Sequence, residues 1–383
     1  KMRLLIIGGT GVLSGAVSRE AIRKGIEVYI LNRGNNPHLI PEGAKFLKAD
    51  VKNTEEVKNV LCDKHFDSVI DFICYNKPQL KHSYELFHTY ADQYIFISTT
   101  CVYDTSIPGK KNEDSPKVLK EWNYSVEKWE SEEYLMSECA KNHQPYTIIR
   151  PCVTYDNTRI PYGIMPEYGT HWTLIGRILA DKPVLTWDGG KARWNLIRVE
   201  DFARGVVSVI GNPKAYNEVY NVSGDNAYSW IDVLQTLASV LNHPVKIFDI
   251  TSVEYKQYQP SLSGEITARS LDAIISNQKI KELNSEFKTT IALRQGIEMA
   301  VEYYKSNNYL NGINYAFDGT IDGIIRKSAK SKHIEAKISF VDYLGNATFV
   351  NKFEYYSHAL SGSVKGKVFL LILKVIKKIN HGK

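Results

Sequence analysis

A glycine-rich turn between an apolar run and an amphipathic stretch constrains this chain more than any other feature. Leu4-Leu5-Ile6-Ile7 leads directly into Gly8-Gly9-Thr10-Gly11-Val12-Leu13-Ser14-Gly15. An unbroken aliphatic run reads as a strand buried on both faces, and Val12–Lys24 reads as a helix. Glycine at the joint lets the backbone turn sharply and leaves its N–H groups accessible. With the N-terminus of the following helix, those groups form a site for a pyrophosphate. The strand before and the helix after are what make so short a pattern meaningful.

The same rhythm continues. Strands read at Glu27–Leu31, Ala44–Lys48, Ser68–Phe72, Tyr94–Ser98 and Thr147–Arg150 alternate with helices near Thr54–Cys62, Pro78–Tyr90 and Val118–Lys141. Alternating strands and helices imply right-handed crossovers and a parallel sheet. The fold class expected is therefore α/β: a doubly wound parallel Rossmann sheet, a smaller α/β substrate lobe and a C-terminal extension. Residues 1–155 plus 196–222 form the dinucleotide-binding domain in this reading, and 156–195 plus 223–305 the lobe, rich in Pro, Gly, Tyr and Trp at its start. In the extension, 306–383, Asn-Gly and Asp-Gly pairs signal turns. Ala336–Val341 and Ala347–Phe353 read there as hairpin-like strands, before a basic amphipathic helix.

Composition narrows the function classes. The net charge of +6 is mild, and part of it lies in the lysine-rich, acid-free stretch from Val364 on. No nucleic-acid reader motif accompanies it, so no nucleic-acid partner is expected. The five cysteines have no CxxC or His-Cys spacing, and the histidines are scattered, so the reading is free thiols in a cytoplasmic protein without a metal. The chain opens on a strand-like run and no signal peptide is read. The longest apolar run, Val368–Leu373, is far below the ~20 residues that span a membrane. In the tail, Lys367, Lys374, Lys378 and His381 fall roughly on one helical face, interrupted by Leu370 and Leu371. Two roles stay open for residues 364–380: docking onto the enzyme or a homodimer partner, and peripheral contact with the inner face of a membrane.

The second strand ends at Leu31-Asn32-Arg33-Gly34. An acid there would bond the ribose 2′-OH of NAD. Arg33 instead suits a 2′-phosphate, which puts NADP ahead of NAD. Asp50, beside Val51 after the third strand, could accept from an adenine amino group. The dinucleotide contacts expected are Gly8, Thr10, Gly11, Val12, Leu13, Asn32, Arg33, Asp50, Val51, Phe72, Ser98, Lys128, Pro151 and Val153.

Tyr124 and Lys128 in Asn-Tyr-Ser-Val-Glu-Lys share a helix face at i and i+4. An ammonium one turn from a phenol can make the phenol a usable acid/base for carbonyl–alcohol interconversion. Thr99 ends the fifth strand, where a hydroxyl can point into the ligand crevice of an open α/β sheet. Thr99, Tyr124 and Lys128 in this order, behind a glycine cradle, form a much more specific signal than any of them alone.

On GGTGVLSG, ADV, ISTTCVY, YSVEK, IIRP and VEDFARGV, the chain from Met2 to about Tyr304 resembles extended short-chain dehydrogenase/reductases of the NAD-dependent epimerase/dehydratase group. The resemblance implies Tyr124 as acid/base, Lys128 as its charge partner and ribose ligand, Thr99 as a helper, and Pro151–Val153 against the nicotinamide. Ser14 replaces the third glycine of the family pattern. Thr100 and Cys101 stand where the group's dehydratases carry Asp-Glu, which disfavours a dehydratase. An NAD(P)-dependent epimerase or ketone reductase acting on a nucleotide sugar or similar polar substrate is the expected function. The rival is a catalytically silent dinucleotide-binding module that regulates or binds RNA or a partner. Tyr75, Thr100, Arg159, Trp194 and Arg269 are the substrate candidates, with arginines for diphosphates and aromatics for bases or sugar faces.

Overall fold

A computed structural model describes residues 1–381 and divides them into two compact units. Unit 1 comprises 1–155, 193–228 and 271–291; unit 2 comprises 156–192, 229–270 and 292–383, of which Gly382 and Lys383 lie outside the described residues.

Unit 1 opens with β1 (Arg3–Ile7), α1 (Val12–Arg23), β2 (Glu27–Asn32), β3 (Lys45–Lys48), α2 (Thr54–Leu61), β4 (Phe66–Asp71), α3 (Lys77–Phe87) and β5 (Ala91–Ile97). Then come α4 (Asn123–Lys141), β6 (Tyr146–Pro151) and β7 (Val153–Tyr155). In unit 2, α5 spans Trp172–Leu179 and β8 Val184–Trp187; back in unit 1 are β9 (Arg193–Arg198), α6 (Val199–Val207) and β10 (Glu218–Val222). The sheet has seven strands in the order β10-β6-β5-β4-β1-β2-β3, every neighbouring pair parallel. Leu4 to Ile7 are fully buried because helices cover both faces: Leu4 and Ile6 join one core, Leu5 and Ile7 the other. Strand order reverses between β1 and β4, which opens a crevice at the carboxyl ends there. This is the doubly wound Rossmann-like sheet the sequence implies.

Some boundaries differ from the sequence reading. The helix expected over Val118–Lys141 begins at Asn123, because Val118 has φ +76°. Residues 271–291 belong to unit 1 and not to the lobe. Long-range bonds hold them there: Ala273 N donates to Arg193 O at 2.8 Å, and Ile275 N to Asn195 Oδ1 at 2.7 Å. No local pattern announces such pairings.

Unit 2 continues with α7 (Trp230–Leu241), α8 (Ser252–Tyr258) and α9 (Ser263–Arg269), and α10 (Gln278–Leu283) lies in unit 1. Helices α11 (Leu293–Ser306), α12 (Tyr315–Ser331), α13 (Phe349–Ala359) and α14 (Val364–His381) complete it. The hairpin-like strands expected in 336–353 are absent. Residues 335–341 form no ladder, and Thr348 caps a helix instead, accepting from Asn351 N at 3.2 Å. The Asp-Gly pairs that read as turns lie inside α12. Gly319 and Gly323, four residues apart on one face, let α13 approach so closely that an added Cβ would strike the carbonyls of Tyr355 and His358. Asp318 and Asp322 meet buried cations: Arg177 Nη1 is 2.6 Å from Asp318 and Lys182 Nζ 2.6 Å from Asp322. The extension is thereby part of unit 2.

Candidate active site

The turn between β1 and α1 requires its glycines. Gly8 and Gly9 have φ of +106° and +78°, and a Cβ on Gly9 would overlap the side chain of Ile30 in β2. Gly11 N donates to Ser14 Oγ at 3.0 Å, and Ser14 is buried. The serine at the expected third-glycine position thus ties the turn to the helix start. Val12 and Leu13 lie in the first turn of α1, where amides have no intrahelical acceptor. Those amides and the positive end of the helix dipole favour an anion. Asn32 braces the cradle, donating through Nδ2 to Gly8 O at 2.7 Å and accepting from Gly34 N at 2.7 Å. Arg33, next to it, is exposed at the tip of β2. A close-approach cradle, a helix N-terminus and an exposed arginine fit a dinucleotide phosphate.

The other expected contacts follow the same edge of the sheet. Asp50 and Val51 come after β3, Phe72 after β4, Ser98 after β5 and Pro151 closes β6, whereas Val153 opens β7, which pairs with β9 outside the seven-stranded sheet. Asp50 Oδ1 already accepts from Lys52 N at 2.9 Å. The Ser98 hydroxyl is buried and donates to Glu132 of α4 at 2.5 Å.

Thr99 and Lys128 converge on the end of β5. Thr99 follows the strand, and its Oγ1 accepts from Cys101 N at 3.1 Å, so the chain turns immediately. Helix α4 packs on this turn. Lys128 is 3% exposed, and its Nζ donates to Cys74 O at 2.7 Å and Ile97 O at 3.2 Å. The ammonium also lies over the Phe96 and Tyr75 rings at 4.8 and 5.5 Å. Burial pulls its pKa down to about 8, against the opposing charge of Asp71. Tyr124 sits one turn earlier on α4, half-buried, its ring 5.4 Å from that of Trp122. Tyr75 is 60% exposed, whereas Thr100 is buried in the turn.

Sequence reading missed the groups that hold this edge in place. Glu132 takes Arg150 through two bonds, Nε at 3.0 Å and Nη2 at 2.6 Å, with both side chains buried. Arg150 Nη1 donates to Tyr103 OH at 2.8 Å, and Tyr103 OH donates to Asn221 Oδ1 at 2.7 Å. The network therefore joins β5, α4, β6 and β10. Glu132 was detectable in principle, since it follows Tyr124 and Lys128 at four-residue steps on one helix face. Asp71, fully buried, accepts from Ile73 N at 2.9 Å, Cys74 Sγ at 3.1 Å, Tyr94 OH at 3.0 Å and Ser83 Oγ.

Trp194, in unit 1, is 2% exposed and its indole N–H donates to Leu271 O at 2.9 Å. In unit 2, Arg159 Nη1 donates to Tyr168 OH at 2.6 Å, and Arg269 lies over the Trp230 ring at 5.7 Å. Burial holds the Arg159 guanidinium below its usual range, and the positive charge of Arg269 adds to the effect. Arg269 Nε in turn lies 3.8 Å from the Glu265 carboxylate. His171 holds the loop that carries Arg159. Its Nδ1 accepts from Ile160 N at 2.9 Å and its Nε2 donates to Pro166 O at 3.1 Å. Burial, with Arg159 nearby, keeps this imidazole neutral down to about pH 3.

Comparison with known proteins gives the family and the fold. Residues 4–223 match the model of the NAD dependent epimerase/dehydratase family. The 2′-dehydrokanamycin reductase of Streptomyces kanamyceticus is 21% identical over 63% of this chain and 68% of its own length. The chloroplast stem-loop binding protein of 41 kDa b from Arabidopsis thaliana is 27% identical over 63% of this chain; the match spans 64% of that protein, less than two thirds. The structure of UDP-glucuronic acid 4-epimerase from Bacillus cereus, in complex with UDP-glucuronic acid and NAD, superposes with a TM-score of 0.62 at 21% identity. It covers 80% of this chain and all of that one.

Proposed function

Because this chain belongs to the NAD-dependent epimerase/dehydratase family, we propose that it is an NAD(P)-dependent epimerase or ketone reductase acting on a nucleotide sugar or a similar polar substrate. The observation that carries the reading is the junction of β5 and α4. Lys128 Nζ reaches the Ile97 carbonyl at the end of β5, Thr99 lies two residues further on, and Tyr124 lies one turn before Lys128 on α4. In this reading the Tyr124 phenol moves the proton at the substrate oxygen, and the Thr99 hydroxyl orients that oxygen. The nicotinamide, when bound, supplies the hydride acceptor and donor. An ammonium has three N–H donors, and two from Lys128 go to carbonyls, which leaves one for a ribose hydroxyl. Arg159 and Arg269 are proposed for the diphosphate of the substrate. Thr100 and Cys101 offer no carboxylate pair for eliminating water, so a dehydratase is disfavoured.

Mass spectrometry of the nucleotide carried by, or added to, the purified full chain tests this reading. Bound NAD(H) or NADP(H) is expected; failure to retain either at saturating concentration contradicts it. Arg33→Ala is expected to weaken NADP(H) binding by about tenfold and leave NAD(H) unchanged, since only the 2′-phosphate gains a charge-assisted bond. Equal losses for both cofactors would remove the preference for NADP.

The protonation of Lys128 gives a further expectation. Its folded pKa is lowered, so the ammonium is intact below about pH 8 and lost above it. Dinucleotide affinity should weaken as the pH rises through that value, and the step should vanish in Lys128→Met. Fluorescence titrations with NADH on either side of the step check this; an unchanged step in the variant would clear Lys128 of the role.

A second reading is favoured by one comparison, the relative named as a stem-loop binding protein. A silent RNA-binding module would retain an RNA stem-loop in a mobility-shift assay and would show no turnover dependent on Tyr124.

A further inference from the structure

The last helix carries a surface that the proposed chemistry does not use. Helix α14 rests on α13 through one face. Gly366 lies so close that an added Cβ would strike the Leu360 carbonyl; Phe369 meets the rings of Phe353 and Tyr356 at 5.5 and 5.4 Å; Leu373 is buried; and Lys377 pairs with Glu354 at 3.2 Å. The opposite face is apolar and open. Val364, Val368, Leu371, Val375 and Ile379 are 79, 48, 62, 57 and 61% exposed. Their spacing of four, three, four and four residues sets them in a single stripe. Lys367, Lys374 and Lys378 border the stripe along one side and Lys365 along the other, all exposed. His381 ends the helix, and its side chain lies outside the described residues.

We propose that this face is a docking surface for an anionic lipid bilayer, with α14 lying in the plane of the interface. Charge decides among occupants. The stretch from Val364 on contains no Asp or Glu, so a second copy of this helix laid stripe to stripe offers the lysine row no carboxylate, and laid antiparallel it brings the two rows together. Lipid phosphates neutralise those rows, while the apolar stripe enters the boundary between headgroups and acyl chains. None of the described helices is long and apolar enough to cross a membrane, which fits a helix lying on the surface. The interior of unit 2 is not disturbed by such binding, because the face inserted lies opposite the one that packs on α13.

Sedimentation of the full chain with lipid vesicles tests the proposal. Phosphatidylcholine vesicles containing phosphatidylglycerol should pull the chain down, and pure phosphatidylcholine should bind it about tenfold less or worse, with added salt weakening the anionic case. Leu371→Glu/Val375→Glu and, separately, Lys367→Gln/Lys374→Gln/Lys378→Gln should each lower partitioning by about tenfold. These side chains are exposed, so the variants fold as the parent does. Equal partitioning of parent and variants, or no binding to anionic vesicles, overturns the proposal. Dimerisation in sedimentation velocity without lipid, abolished by Leu371→Glu, also overturns it by giving the face to a second copy.

Discussion

Tyr124→Phe is expected to lower kcat by about 10²–10⁴-fold, the range a positioned acid/base contributes, while dinucleotide binding stays at the parent level. The substitution removes one hydroxyl and keeps the ring that packs near Trp122, at 5.4 Å between centroids. Lys128 keeps its own bonds to Cys74 O and Ile97 O, which do not involve the phenol. The loss should therefore fall on the chemical step and leave the cradle alone. Steady-state kinetics with the substrate found by screening nucleotide sugars, alongside NADH binding to the same variant, separates these outcomes. Parent-like kcat in Tyr124→Phe would remove the phenol from the mechanism. Loss of dinucleotide binding would instead give it a structural role.

Glu132→Ala is expected to destabilise unit 1 by about 3–5 kcal/mol, because it strands a buried guanidinium. Arg150 is 1% exposed and Glu132 is fully buried, so neither charge can fall back on water when the other is removed. The loss also frees the Ser98 hydroxyl, next to Thr99, from its 2.5 Å bond. Guanidinium unfolding, followed by the midpoint at constant slope, measures the change. The double variant Glu132→Leu/Arg150→Met should recover much of it, because removing both charges together avoids the unpaired one. A single variant as stable as the parent would show that the pair is dispensable.

The sheet was legible because its physics is local. A parallel strand covered on both faces must be apolar along its length, and Leu4–Ile7 and Tyr94–Ile97 show that directly. The cradle was legible because a backbone at φ near +80° beside Ile30 excludes side chains. What stayed hidden depends on partners far along the chain. Asp318-Gly319 and Asp322-Gly323 have the composition of turns; the buried cations Arg177 and Lys182, and the close approach of α13, make that stretch a helix. Glu132 and Arg150 look like surface residues until each is seen to neutralise the other. The bond from the Trp194 indole N–H to the Leu271 carbonyl was equally hidden, because its partner lies 77 residues away.

In the proposed reading, this chain moves hydride at a site whose proton passes through Tyr124. Rapid-mixing absorbance at 340 nm tests it most directly, with NAD⁺-loaded full chain mixed against a panel of UDP- and dTDP-linked hexoses. For at least one sugar, a reduced-nicotinamide band should rise in the parent and be absent from Tyr124→Phe carrying the same amount of dinucleotide. A band of equal rate and size in both proteins, or a parent chain that binds no dinucleotide at all, would contradict it.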